Sequence, residues 1–308
     1  MAQLFIIMAI GYALFKLKYL DSQMITRLTK LLLDITLPLL IISSVMDKTE
    51  EVNAGKIGMV FLISFCLYVF LSVLSIIVIK IMHFPKPQQG LYIFMHTFAN
   101  IGFMGFPIIN ALYGNEAMLY TAILNIFFNL FAYTVGIMMV NYSGSLKNEG
   151  SSAASLINAK SLISVGTIGS LLAIVIYFLP VTFPDVVTGV CSTVGGLTSP
   201  LAMILIGATL AKMPLKKVFN DWRVYLFAFV KQFVMPFPIY FLMRLVVADE
   251  LVRNVLFILC IMPVANTSVL FANRYKKDEE LAAKNVFVTT LVSIVSIPVI
   301  LSVLNVGA

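Results

Sequence analysis

The chain has 308 residues and a mean hydropathy of +1.00, and only 11% of its residues are charged. A soluble domain of this size carries about a quarter charged residues. The composition therefore excludes an ordinary soluble enzyme and indicates an all-α polytopic membrane protein in a lipid bilayer. The net charge of +7 does not indicate a nucleic-acid partner, because the basic residues lie between the apolar runs.

Ten apolar runs predict ten transmembrane helices, at about 3–20, 23–46, 57–80, 90–112, 116–140, 162–180, 185–211, 222–247, 250–272 and 280–305. The polar segment 141–161 is rich in Ser, Gly, Asn and Lys, and predicts a flexible linker. It separates a first five-helix repeat at 1–140 from a second five-helix repeat at 162–308. Because five is an odd number, the second repeat must enter the membrane inverted relative to the first.

Lysine and arginine are distributed unequally between the two sides of the predicted membrane. Sixteen of the 21 basic residues fall on the side of the linker and four on the opposite side, which leaves Lys231 inside a span. The positive-inside rule then predicts a multi-pass protein of the cell membrane with a cytoplasmic 141–161 linker and both termini extracytoplasmic.

Two apolar segments carry helix-breaking residues at matching positions in the two repeats. One is 98–107, which contains Ala99-Asn100, and the other is 262–268, which contains Ala265-Asn266. A break inside a bilayer is tolerated only where protein or a water-filled cavity covers the free backbone groups. Paired breaks therefore predict a secondary transporter with its binding site at the breaks in helices 4 and 9.

The residues that bend these helices are glycines and prolines. The predicted breakers, which would alternatively form simple packing kinks, are Gly102, Gly105, Pro107 and Pro263. A Thr-x-Pro-Leu motif recurs around Pro38 in span 2 and Pro200 in span 7, where kinks are expected. The separations from Pro38 to Asn100 and from Pro200 to Asn266 are nearly equal, which supports an internal repeat.

The substrate is predicted to bind where the two helices are broken. Unwound carbonyl groups, half-helix N-termini and asparagine amides together suit a carboxylate. The alternative is that the asparagines only form hydrogen bonds between helices. The predicted substrate-binding residues are Asn100, Ile101, Gly102, Gly105, Asn266 and Thr267.

Three ionisable residues within the spans are candidates for charge or coupling roles. Asp34 in span 2 could bind a coupling proton or ion, or could pair with Lys30 one turn earlier. Lys231 in span 8 could attract an anionic substrate, or could pair with a carboxylate such as Asp34. His96, one turn before the first break, could exchange a proton or could be a packed, hydrogen-bonded side chain.

The chain lacks the motifs that would indicate an enzyme or an ATP-driven pump. It contains no GxxxxGK[ST] loop, no HExxH pair and no CxxC pair. The three cysteines, Cys66, Cys191 and Cys260, lie in apolar segments without metal-like spacing and are expected to pack as small apolar residues. We therefore expect no enzyme activity, no metal and no cofactor, with proton or sodium coupling possible.

The chain resembles the auxin efflux carrier family of permeases over essentially its whole length. The resemblance rests on four features: Gly11-Tyr12, Leu37-Pro38, the stretch 99–107 followed by Tyr113-Gly114, and Ala265-Asn266 followed by Phe271-Ala272. It implies two inverted repeats, broken helices 4 and 9 that cross at the substrate, a scaffold bundle with a mobile transport bundle, and a homodimer. In plant members the two crossover asparagines lie at the substrate, which implies this role for Asn100 and Asn266.

The chain also departs from the plant carriers in two respects. They have an Asn-Pro motif where this chain has Leu37-Pro38 and Ser199-Pro200, and many have a much longer central loop. The resemblance to bacterial members instead implies a small organic anion, such as malate or malonate. Two alternatives are a sodium-coupled symporter of a larger amphipathic anion, like the bile-acid transporters, and a membrane sensor that does not transport.

Overall fold

The computed structural model describes residues 2–46, 54–142, 165–179, 183–212 and 221–306. Regular structure in these ranges is helical, apart from one isolated antiparallel bridge. The predicted linker lies outside the described residues from position 143 onward.

The helices of the first half carry two irregular segments at places of functional interest. In chain order they are α1 (Ala2–Lys16), α2 (Ser22–Leu31), α3 (Leu37–Met46), α4 (Ala54–Ile81), α5 (Lys86–Thr97), α6 (Phe106–Tyr113), α7 (Met118–Ala132) and α8 (Val135–Asn141). Two π-helical segments, Leu32–Thr36 and Ile101–Gly105, precede α3 and α6. Such widened turns are frequent at functional sites.

The second half contains a third π-helical segment, Val230–Val234, which holds Lys231. Its helices are α9 (Val165–Phe178), α10 (Asp185–Gly196), α11 (Thr198–Lys212), α12 (Trp222–Phe229), α13 (Pro236–Val246), α14 (Glu250–Cys260), α15 (Thr267–Arg274) and α16 (Glu279–Val303). Asp34 lies in the first π segment. Asp34 and Lys231, which the sequence places within spans 2 and 8, therefore both lie in widened turns. The sequence did not predict these turns.

Within the described ranges, five helical stretches are long and apolar enough to cross a membrane: Ser22–Met46, Ala54–Ile81, Asp185–Lys212, Trp222–Val246 and Glu279–Val303. A sixth is added if Ile101–Ala132 and Val135–Asn141, which meet at a bend of 44°, form one span. Two further apolar helices, α1 and α9, are shorter, and α5–α6 and α14–α15 are interrupted by breaks. These findings confirm a multi-pass helical protein, while the ten-helix inverted repeat stays a prediction.

The helices pack as two bundles. We call α1, α2–α3, α9 and α10–α11 the support bundle, because α1 packs along α11 and α3 packs against α9 and α10. We call α4–α8 and α12–α16 the crossover bundle, because it contains both breaks. Each bundle takes helices from both halves of the sequence. The bundles touch where α11 meets α6 and where α9 meets α7.

Glycines allow close backbone contacts within the support bundle. A Cβ atom at Gly11 would lie 2.1 Å from the carbonyl oxygen of Ile204, and one at Gly207 would lie 1.9 Å from that of Met8. Helices α1 and α11 thus approach each other through one glycine on each side. Small residues at a helix interface favour association in membranes, because they let the backbones make close van der Waals contact.

Aspartates fix several helix N-termini by accepting hydrogen bonds from free backbone N–H groups. Asp249 accepts from Val252 N–H at 2.9 Å and also forms an ion pair with Lys56 at 2.9 Å, which ties the start of α14 to the start of α4. Burial alone would raise the pKa of Asp249, but these two partners outweigh it and lower the pKa below its usual value. The other capping aspartates are Asp21, Asp221 and Asp278.

We predict that Gly207→Ala destabilises the support bundle by about 1–3 kcal/mol, because the added methyl group must push α1 away from α11. The matched control is Gly58→Ala on α4, where a Cβ atom meets nothing within 4 Å. Thermal unfolding of both variants in detergent measures the difference. Equal melting temperatures for the two variants would contradict the close contact.

Candidate functional site

The two broken helices cross through their backbones. Ala99 pairs with Val264 as an isolated antiparallel bridge, and both residues are buried. Two backbone hydrogen bonds flank this pair: Asn100 N–H to Pro263 O at 2.8 Å, and Ala265 N–H to Phe98 O at 3.2 Å. Each break therefore satisfies polar groups of the other, as an apolar environment requires.

A third helix completes this hydrogen-bonding pattern. The N–H of Val264 donates to the Thr289 hydroxyl on α16 at 3.1 Å, and that hydroxyl donates in turn to the Asn285 carbonyl at 2.6 Å. Thr289 is fully buried. A helix that passes behind the crossing thus supplies the acceptor that the local backbone lacks.

The two predicted asparagines occupy different environments at the crossing. Asn100 is buried, and its Oδ1 accepts a hydrogen bond from Phe103 N–H at 3.2 Å, which caps the π segment. Its Nδ2 is buried without a partner among the described residues. Asn266 is half-buried at the N-terminus of α15, and its side chain makes no capping bond there. The Asn100 side chain is therefore partly used by the fold, whereas the Asn266 side chain does not cap the helix that it begins.

Of the other residues predicted at the first break, some are in close contact with neighbouring helices and one has open space beside it. A Cβ atom at Gly105 would lie 2.6 Å from Leu259 Cδ2, so this glycine permits the contact between the break and α14. A Cβ atom at Gly102 would meet nothing within 4 Å. Ile101 is buried, and Pro107 lies just after the π segment, where the helix continues into α6.

The two kink prolines lie in the support bundle, away from the crossing. Pro38 is buried in the first turn of α3, and a Cβ atom at Gly169 on α9 would lie 2.9 Å from its Cβ. Pro200 stands in the first turn of α11, after the interruption at Leu197 that separates this helix from α10. Both prolines follow an irregular turn, which agrees with the Thr-x-Pro-Leu motif that they share.

Lys231 binds the end of the first half-helix. Helix α5 stops at Thr97, so its last carbonyl groups have no partners within the helix. The Lys231 ammonium group donates to the His96 carbonyl oxygen at 2.9 Å, although Lys231 itself is buried. A cation at this position interacts favourably with the negative end of the helix dipole. The lysine thereby connects α12–α13 to the break.

His96 is a packed, hydrogen-bonded residue in this structure. Its Nδ1 lies 2.8 Å from the Ser75 hydroxyl on α4, which also accepts a hydrogen bond from Thr97 at 2.9 Å. The Ser75 hydroxyl donates to the Leu71 carbonyl at 2.6 Å, so we assign the shared hydrogen to His96 Nδ1. The opposite ring nitrogen, Nε2, is buried and has no partner among the described residues. A proton role for His96 stays a prediction.

Lys231 forms no ion pair with a carboxylate among the described residues, so the alternative of such a partner is not supported. Asp34 is half-buried in the π segment of span 2, and it forms an ion pair with neither Lys30 nor Lys231 within the described residues. Both suggested pairings are therefore wrong for this structure. The physical reason is that Lys231 finds carbonyl dipoles at a helix end, while Asp34 belongs to the other bundle.

A cavity of about 570 Å³ lies between the two bundles. The support bundle lines it with residues that include Thr29, Leu33, Leu205, Ile206, Thr209 and Lys212. The crossover bundle lines it with residues that include Phe103, Asn266, Thr267, Leu270, Val286 and Phe287. The cavity therefore reaches from the second break to the last turn of α11, and the described residues that line it include no carboxylate.

Two of the predicted substrate residues face this cavity. Asn266 and Thr267 form its polar corner, and the Thr267 hydroxyl is buried without a protein partner in the described part of the chain. Together with the N-terminus of α15, they offer hydrogen-bond donors and a partial positive charge. Such a corner suits an anionic group, so the geometry supports a carboxylate at Asn266 more directly than at Asn100.

Sequence reasoning missed most of the cavity wall. Lys212 looked like an ordinary cytoplasmic lysine, and Thr29 and Thr209 looked like parts of ordinary spans, while Phe103 was placed in the first break but was not predicted to line a site. These residues meet only because α2 and α11 of one bundle face α15 and α16 of the other. Without that pairing of helices, no signal in the sequence distinguishes them from other residues of the spans.

We predict that Thr289→Val destabilises the crossing by about 1–3 kcal/mol, because the buried Val264 N–H loses its acceptor. The control is Thr121→Val on α7, which removes only a bond from the Thr121 hydroxyl to the Ala117 carbonyl of the same helix. Thermal unfolding measures both variants. The account of the crossing is contradicted if Thr289→Val unfolds at the same temperature as Thr121→Val.

Comparisons with known proteins agree with a transport role. A family model described as membrane transport protein matches residues 1–301. An uncharacterized transporter of Methanocaldococcus jannaschii is 25% identical over 231 residues, which cover 74% of this chain and 73% of the relative.

Proposed function

Because the chain belongs to the membrane transport protein family, which includes the auxin efflux carriers, we propose that it is a secondary transporter of a small organic anion. The substrate binds at the crossing of the two broken helices, and no chemical reaction takes place there. Mono- and dicarboxylates of the malate or malonate type are the starting candidates.

The observation that carries this proposal is the position of Asn266 and Thr267. They stand at the N-terminus of α15, at the edge of a break, and they face a cavity between two bundles. Half-helix N-termini near the middle of the membrane bind anionic substrate groups in several transporter folds. Anion binding is further favoured because the described lining residues include Lys212 and no acidic residue.

Alternating access follows from the division into two bundles. We propose ten transmembrane helices in two inverted five-helix repeats, with the crossover bundle moving as an elevator against the support bundle. The cavity lies near Lys212, at the end where positive charge predicts the cytoplasm. The structure would then be inward-facing, with both termini extracytoplasmic and the 141–161 linker cytoplasmic. A homodimer in the membrane is part of the same proposal.

Lys231 favours an arrangement that does not require sodium at the first break. Half-helix C-terminal ends and unwound carbonyl groups coordinate sodium in some secondary transporters. Here the Lys231 ammonium group already binds such a carbonyl, that of His96. We therefore propose that a fixed lysine replaces a coupling cation at α5. Proton coupling, with Asp34 and His96 as the candidate groups, stays within the proposal.

The test compares binding and uptake by the parent protein with those of Asn266→Ala. Losing hydrogen bonds to a charged ligand costs about 1.5–3 kcal/mol, or roughly ten- to a hundredfold in affinity. Asn129→Ala is the matched control, because its Nδ2 bonds only the Asn125 carbonyl of the same helix. Thermal shifts and uptake into proteoliposomes are measured with radiolabelled acetate, butyrate, malonate and malate, in sodium and in potassium buffers.

We expect a carboxylate to bind and to be taken up equally in both buffers, with weaker binding to Asn266→Ala only. Unchanged affinity in Asn266→Ala would show that the site is not at α15. Binding without uptake would instead indicate a sensor, and uptake that requires sodium would indicate a sodium-coupled symporter.

A further inference from the structure

Three polar side chains form a stripe along α5, and each of them has an atom without a partner. Gln88, Tyr92 and His96 follow one another at intervals of four residues, so they lie on one face of the helix. Tyr92 and His96 are buried, and Gln88 is half-buried. Gln88 Oε1, Tyr92 Oη and His96 Nε2 are shielded from solvent and make no hydrogen bond within the described residues. Unsatisfied polar atoms therefore run from the first turn of α5 to its last.

Helix α16 packs against α5 and faces this stripe with polar groups of its own. At its start, Asp278 Oδ2 accepts a hydrogen bond from Gln88 Nε2 at 3.4 Å. Further along α16, Asn285 lies beside the Tyr92 hydroxyl without a hydrogen bond of good geometry between them. Asn285 is fully buried, and its Oδ1 has no partner in the described part of the chain. We call Gln88, Tyr92, His96 and Asn285 the groove residues, because they line a groove between α5 and α16.

Helix α12 forms the third wall of this groove, which ends beside the first break. The centroid of the Phe227 ring lies 5.1 Å from that of Tyr92 and 6.2 Å from that of His96. At the inner end, the Lys231 ammonium group donates to the His96 carbonyl at 2.9 Å. Gln232, next in the chain, contributes another buried nitrogen, Nε2, that has no partner among the described residues. The groove thus leads to a buried cation.

The groove is separate from the cavity between the bundles. Val286 and Phe287 of α16 line the cavity, whereas none of the groove residues is among its described lining residues. The outer end of the groove lies at the starts of α5, α12 and α16, on the side that the positive-inside rule assigns to the cytoplasm. Asp221, which caps α12, is near enough to act electrostatically on the Tyr92 hydroxyl. The groove is therefore a second polar path from that side into the crossover bundle.

The groove residues have the chemistry of a water-filled proton path. Buried polar atoms without protein partners are usually bonded to ordered water, which typically makes about three hydrogen bonds. The Tyr92 hydroxyl can donate and accept, and Asn285 Oδ1 accepts. With its hydrogen on Nδ1, as assigned above, the His96 ring has a lone pair on Nε2 that can accept a proton. Ionisable residues inside a membrane often belong to such proton relays.

We propose that the His96–Lys231 pair exchanges one proton with the cytoplasm through water in this groove. The inference rests on the proposed function and assigns its coupling ion. A hydrated proton enters beside Asp278 and passes Tyr92 and Asn285 along hydrogen-bonded water. It then binds His96 Nε2, so that the charge of the pair rises by one. Release reverses these steps, and no other bond forms or breaks.

The surroundings of the pair couple this proton to the crossing. Ser75 on α4 faces His96 Nδ1, and Cys260 at the end of α14 is near enough to act electrostatically on Lys231. Among the described residues, no carboxylate forms an ion pair with Lys231 or His96. A proton on His96 therefore meets the Lys231 charge without compensation, and like charges repel. Proton binding thus weakens the Lys231 contact at the end of α5.

Oxidation by hydroxyl radicals tests for water in the groove, because radicals formed in ordered water by a short X-ray pulse oxidise the side chains beside it. Tyr92 is expected to be oxidised in the folded protein although it is fully buried. Phe94 is the control on the same helix, since it is equally buried but packs between the Phe98 and Phe271 rings. Mass spectrometry of the digested chain measures both. A Tyr92 side chain as unreactive as Phe94 would show that the groove is dry and overturn the inference, whatever the protein transports.

Transport tests the proton path. Uptake of radiolabelled malonate and malate into proteoliposomes is driven by an imposed pH gradient, and exchange of the same acids is measured without a gradient. We expect Tyr92→Phe, which removes only the hydroxyl, to slow gradient-driven uptake several-fold relative to exchange. His96→Gln should remove the effect of the gradient. Tyr240→Phe is the control, because the Tyr240 hydroxyl on α13 bonds the Leu304 carbonyl, away from the groove residues.

The outcomes separate this inference from the proposed function. Uptake that does not respond to the gradient, or an equal gradient-driven rate in Tyr92→Phe and the parent, would overturn the inference and leave an anion transporter. If the parent neither takes up nor exchanges the acids, the proposed function and the proton coupling both fail, whereas oxidation of Tyr92 still decides whether the groove holds water.

Discussion

Free backbone groups cannot be left without partners in a membrane, and this constraint governs the centre of the molecule. Helices α5 and α14 stop among buried residues, and each leaves backbone N–H and C=O groups without partners in its own helix. The short antiparallel bridge between Ala99 and Val264 gives each break hydrogen-bond partners in the other. The crossing is therefore one of the places where the two halves of the chain depend on each other.

The bridge leaves polar groups at two helix ends without a partner in the bridge itself, and these two ends differ. At the end of α5, the His96 carbonyl accepts a hydrogen bond from the Lys231 ammonium group, and this buried cation forms no ion pair with a carboxylate within the described residues. At the start of α15, Asn266 makes no capping bond, and the Thr267 hydroxyl has no partner in the described part of the chain; both residues line the cavity. The first end is closed by the protein itself, whereas the second borders the cavity.

The sequence predicted the breaks well because their cause is local. Both interruptions contain a predicted Ala-Asn pair, and Pro263 lies in the second one, whereas Gly102, Gly105 and Pro107 lie in the helical segments that follow the first. The partner of Lys231 could not be predicted, because it is a backbone carbonyl and carries no side-chain signal. The π segments around Asp34 and Lys231 have no sequence signature either. The role of Lys212 in the cavity could not be predicted either, because the sequence does not show that α11 and α15 line the same cavity.

The most direct test of the crossing is a disulfide between its two central residues. Residues in a pair flanked by hydrogen bonds on both sides have Cα atoms about 4.5 Å apart, which lies within the range of a disulfide. Ala99→Cys and Val264→Cys are combined in a protein whose Cys66, Cys191 and Cys260 are replaced by alanine. The account predicts a rapid, nearly complete cross-link in the folded protein, detected by mass spectrometry of the digested chain. A folded protein in which these two cysteines stay reduced under oxidising conditions would contradict it.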